Sequence, residues 1–217
     1  SPSASTGPLI VFDGLKIAPA TGGGITAFAG SSVLVQRSHI STGSTSVGVT
    51  AQEGTNFFFL QNLIENSSTA TVASFSGAVR HTNTWFKGGG IGLNLTGTKG
   101  SNLNSNYFSG QSATGTGLLL SQGTASVQFN SNIMVGGGST STAVKVTSAT
   151  ATTTYSSVSV QGGTFSGYGT GISVVGPQFV RIDAVLGTGN TTGVAVSLGA
   201  RAHVASGTTI TGTTEVN

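Results

Sequence analysis

The tripeptide Asn-Ser-Asn occupies 104–106 and again 130–132, followed each time by two apolar residues, one further residue and Gly. The copies lie 26 residues apart and belong to a longer series. Taking the large apolar residue after each phrase as an anchor gives Ile17, Ile40, Ile64, Phe86, Phe108, Met134, Phe165, Leu186 and Ile210. The steps are 23, 24, 22, 22, 26, 31, 21 and 24, an average of about 24. Self-similarity at roughly 20–50 residues is the mark of stacked repeats, in which no unit can bury its apolar face alone.

A second series lies between the anchors and reads small residue, apolar, any, apolar. It includes GITAF from Gly24, SVGV from Ser46, TVASF from Thr71, GIGLNL from Gly90, GLLL from Gly117, AVKV from Ala143, GISVV from Gly171 and GVAVSL from Gly193. Two strand signals per repeat, held in phase and separated by Gly-rich segments, suit a solenoid better than a sandwich of hairpins, whose strands recur about every 8–12 residues. Two residues before the anchor stand Leu15, Ser38, Asn62, Thr84, Asn106, Asn132, Gly163, Ala184 and Thr208. Asn62, Asn106 and Asn132 read as a structural ladder, because stacked amides hydrogen-bond along an axis and Asn tolerates left-handed backbone at a corner.

Composition narrows the reading. Only 6% of residues are charged, against about 25% in ordinary domains. The short runs LIVF, VLV, FFFL and GISVV carry the β-branched and aromatic residues that a disordered chain lacks. Eight Lys and Arg and a net charge of +3 form no basic run, so nucleic acid is not an expected partner. No apolar run reaches the ~18 residues of a membrane span, so no membrane insertion is expected. The chain has no Cys, starts at Ser1 and shows no secretory leader, which reads as a mature or trimmed chain.

The repeat length, the corner Asn and the inward apolar residues resemble the right-handed parallel β-helix of the pectin-lyase-like superfamily. That group includes pectate lyases, polygalacturonases, adhesins and bacteriophage tailspikes. The expected fold is an all-β, single-stranded right-handed parallel β-helix of about nine coils with roughly 24 residues per coil. Its handedness is implied by the resemblance alone. Residues 1–7 read as a leading linker and 8–217 as the β-helix domain. With strands ~4.8 Å apart, nine coils make a rod about 40 Å long. The pattern begins near residue 9 and continues to 210 without an amphipathic cap, which reads as part of a longer protein or ends covered by another chain.

If the anchors point inward, their neighbours point outward. One lateral face then stacks His39, Leu63, Trp85, Tyr107 and Ile133, with Glu65 and Lys87 beside them. His39, Trp85, Lys87 and Tyr107 form a glycan-binding surface or a subunit interface, unless a loop of the same chain covers them. For hydrolysis of a glycan two carboxylates about 5–9.5 Å apart are needed. Glu53 and Glu65 are the best catalytic pair on offer. Asp183 beside Arg181 reads as an ion pair, and Arg80-His81 as charged tips of an exposed strand. The carboxylate signatures of polygalacturonases and the calcium-binding Asp cluster of pectate lyases do not occur. No metal site and no cofactor are expected, since His39, His81 and His203 share no short spacing.

What the resemblance implies for function is a tailspike or tail-fibre domain: a rigid homotrimeric shaft, on a virion or otherwise extracellular, that binds bacterial surface polysaccharide. The alternatives are a polysaccharide depolymerase of the same superfamily, hydrolase or lyase, and a secreted adhesin. An ice-binding surface ranks last, because Thr forms no regular column.

Overall fold

The structure is a computed structural model, which describes residues 9–28, 30–74, 77–122, 124, 126–147, 157–211 and 213–216. The expected leading linker lies outside the described residues. Among those described there is no helix, and every strand pairing is parallel. The chain winds as a parallel β-solenoid of about 8 turns with roughly 23 residues per turn, one turn and one residue fewer than expected.

Each coil carries three strands, not two. The fourth coil shows them as Val79–Thr82, Trp85–Lys87 and Ile91–Thr96. They lie on three faces, called here first, second and third in chain order. The anchor series forms the second face and the small-apolar series the third. The first face, nine strands from Leu9–Asp13 to Arg201–Val204, was missed in the sequence. Its outward positions include Leu34 and Phe58, so VLV and FFFL do not alternate apolar with polar, and period-two reading fails.

The anchor register is as expected from Ile17 to Phe165, each anchor pairing with the next. It slips once. Phe165 pairs with Gly187, not Leu186, and Gly187 with Ile210. Leu186 therefore faces outward, 45% exposed.

Inside, the apolar columns close into one core. Phe86 stacks on Phe108 at 4.5 Å between centroids, and Phe129 follows at 6.0 Å and Phe165 at 6.1 Å. All four rings are fully buried, each contributing about 1.5–3 kcal/mol of burial. The third face makes room with a small-residue column. A Cβ on Gly92 would stand 2.8 Å from the Phe108 ring, and one on Gly117 would stand 2.1 Å from the Met134 methyl. The aromatic interior and the glycine column therefore require each other.

The corner between first and second faces holds Asn62, Asn106 and Asn132, with two corrections. Asn106 and Asn132 bond amide to amide, whereas Asn62 bonds backbone groups alone and is separated from Asn106 by Thr84 at the same ladder position. The left-handed backbone belongs to the residue before it: Gly14, Arg37, Gln61, Asn83, Ser105, Ser131, Gly162 and Ala184 all have φ between 49° and 65°. Asn62, Asn106 and Asn132 are buried and satisfy the corner's peptide groups. Asn132 Oδ1 accepts from the Asn106 peptide N–H (2.8 Å) and from Asn106 Nδ2 (2.9 Å), while Asn132 Nδ2 donates to the Leu103 carbonyl (2.8 Å). Asn106 Oδ1 accepts from Thr84 N, and Asn62 Oδ1 from Ser38 N. Each buried amide thus replaces water for groups that the bend removes from the β-ladder.

Candidate functional site: the second face and its groove

The second-face strands His39–Ser41, Leu63–Glu65, Trp85–Lys87 and Tyr107–Ser109 have three residues each. In a strand the first and third side chains share a face. The middle residues Ile40, Ile64, Phe86 and Phe108 are fully buried, so the flanking ones line the outer surface. Parallel register then stacks His39, Leu63, Trp85, Tyr107 and Ile133 in one row and Ser41, Glu65, Lys87, Ser109 and Val135 in the next.

Trp85 is 39% exposed yet fixed. Its indole Nε1–H donates to Ser109 Oγ at 2.8 Å. Tyr107 packs against it edge-on, 5.5 Å between centroids at 60°. The Lys87 ammonium lies 5.5 Å from the centre of the Trp85 ring, within reach of a cation–π attraction.

Glu65 ties three coils together. Its Oε1 meets His39 Nε2 at 2.8 Å and its Oε2 accepts from Lys87 Nζ at 3.2 Å. The bond to His39 holds its carboxyl below the usual range, burial opposes this, and Lys87 adds to the lowering. Glu65 is therefore an ionised acceptor at neutral pH and a poor proton donor.

Beside this surface runs a shallow open groove of ≈ 590 Å³, lined among others by Lys16, Arg37, His39, Gln61, Asn83 and Trp85. Its wall exists because the left-handed corner turns Arg37, Gln61 and Asn83 toward solvent. Arg37 Nε donates to Asp13 Oδ1 at 2.8 Å, and a second guanidinium nitrogen binds Oδ2. Those bonds lower the Asp13 pKa and raise that of Arg37.

The expected catalytic pair is not assembled. Glu53 sits exposed in the corner between Val47–Ala51 and Asn56–Leu60. Glu65 ends a second-face strand at the opposite end of the third face. A five-residue strand at ~3.3 Å per residue separates those corners by roughly 16 Å, too far for the two-carboxylate arrangement. Arg181 Nη2 does pair with Asp183, at 3.3 Å. His81, expected at an exposed tip, is fully buried; the strand Val79–Thr82 points it inward and Arg80 outward. Among the described residues no three His, Asp or Glu gather as a metal would require, and no helix is long and apolar enough to cross a membrane.

Sequence reasoning placed His39, Glu65, Trp85, Lys87 and Tyr107 together correctly but missed Arg37, Gln61 and Asn83. Their signal was their position, one residue before the ladder column in consecutive coils.

No protein-family model, curated protein or solved structure matches the chain.

Proposed function

We propose that this chain is the rigid shaft of a surface appendage, of the kind that bacteriophage tailspikes and tail fibres present, and that its second face holds bacterial surface polysaccharide. The carrying observation is Trp85: a large ring, partly exposed, pinned by Ser109 and Tyr107 at the rim of an open groove. An amphipathic ring fixed in advance offers apolar area to the C–H face of a sugar at little entropic cost. The groove beside it offers amide, imidazole, ammonium and guanidinium donors to hydroxyl groups.

Within this reading the shaft is a homotrimer exposed on a virion or outside a cell, and the pectin-lyase-like superfamily is its structural kin. Binding without cleavage is favoured over a depolymerase, because Glu65 is already engaged by His39 and Lys87 and Glu53 is remote. The test is a glycan panel with the wild-type chain and Trp85→Ala. The expected result is retention of at least one bacterial polysaccharide, weakened tenfold or more in the variant, with an unchanged β signal in circular dichroism. Equal retention by both, or none by either, removes the glycan role. Light scattering that gives a monomer at micromolar concentration removes the trimer.

A further inference from the structure

His81 is the anomaly of the interior. It is fully buried, and neither ring nitrogen has a hydrogen-bond partner among the described residues. The ring lies flat on Phe59, 4.3 Å between centroids at 13°, and tilts against Phe86 at 5.1 Å. Register sets Phe59 below it and Leu103 above it in the same inward column. A histidine occupies a slot that neighbouring coils fill with purely apolar side chains.

Among the described residues no charge is positioned to compensate it. From the coil below, Phe57 and Phe59 point inward; from the coil above, Leu103. On the second face of its own coil the inward residue is Phe86, with Lys87 outward, and the buried third-face residues are Leu93 and Leu95. Arg80, its strand neighbour, lies outside over the Phe58 ring. The site therefore tolerates a neutral imidazole and penalises an imidazolium.

We propose that His81 makes the fourth coil an acid-sensitive seam, at which the solenoid opens in mild acid while adjacent coils stay wound. Each coil pairs only with its neighbours, so a local opening is available without global unfolding. Opening also severs the bond from Asn106 Nδ2 to the His81 carbonyl, 3.0 Å long, which couples the seam to the Asn ladder.

The direction follows from linkage. Burial lowers the folded-state pKa from 6.5 to about 3, so the open state binds the extra proton. Stability is unaffected above pH 6.5 and falls as pH drops toward 3, with the opening constant rising about tenfold per pH unit. Glu65 and Asp13, whose pKa values are also lowered, have ordinary values of 4.5 and 3.8. Their contributions are lost only below those values, which leaves pH 4.5–6.5 to histidine.

The test is amide hydrogen exchange at pH 7 and pH 5, corrected for intrinsic rates, on His39→Gln/His203→Gln chains in which His81 is the sole histidine. Protection of Val79–Thr82 is expected to fall more than tenfold at pH 5 while that of Val127–Asn130, two coils on, holds, and His81→Phe to abolish that fall. Should His81→Phe not fold, His81→Leu, the residue found at 103, replaces it. Equal pH dependence in the wild-type and substituted rings, or an imidazole resonance titrating near 6.5 in the folded chain, overturns the proposal.

Discussion

The coils before residue 135 and those after 157 perform the same winding with different chemistry. In the earlier coils the first corner is closed by Ser38, Asn62, Thr84, Asn106 and Asn132, while aromatic rings fill much of the interior. In the later coils the ladder position holds Gly163 and Val185, and Val158, Val160, Val180 and Ile182 form the first-face interior. Lys16, His39, Glu65 and Lys87 all lie on the earlier part of the second face; the later part shows Thr164, Ser166, Leu186 and Thr188. The backbone path does not depend on one means of closure. A left-handed residue is needed at every corner, but its peptide groups can be satisfied by an amide or left to the ladder of backbone hydrogen bonds.

That contrast can be broken most forcefully in the aromatic interior. Phe108→Ala is expected to cost about 4 kcal/mol in denaturant unfolding, because its ring packs on Phe86 and fills the space left by Gly92. Val180→Ala, in the later coils, should cost about 2 kcal/mol. Equal costs would mean that the two interiors are packed alike. Asn132→Ala comes next, at about 3 kcal/mol, since it strands the Asn106 amide groups and the Leu103 carbonyl away from water. Ala184→Gly and Ser131→Gly test what both regions share: each should gain up to about 1 kcal/mol by relieving a non-glycine residue at φ near 50°. A gain in only one region would show that the corners differ in backbone as well as in closure. Smallest is acidification at Glu65. Its depressed pKa adds stability above pH 4.5 that is lost as pH falls through the folded value. Glu65→Gln should flatten a slight decline in melting temperature in that window.

The solenoid was legible because inward residues repeat in phase: seven anchors from Ile17 to Phe165 fall in register. The reading failed where chemistry is silent or ambiguous. Gly187 carries no hydrophobic signal, so the exposed Leu186 beside it looked like the anchor. The first face hid because apolar residues occupy both of its sides. Asn at the ladder was right in phase, but the left-handed residue is its predecessor, an identity as varied as Arg, Gln, Asn, Ser and Ala. His81 misled because a histidine between Arg and Thr has the composition of a surface strand. The contribution of Glu53 was misjudged because coil spacing gives neighbours along the axis and says little of which corner a loop residue occupies.

One coil is longer than the rest. Val127 pairs with Val158, a step of 31 residues, yet Val158 meets Val180 and Val180 meets Ala202 in continuous parallel register. Pairing on either side therefore does not require windings of equal length, and a designer could vary the residue count of one winding without changing how the first-face strands beyond it meet.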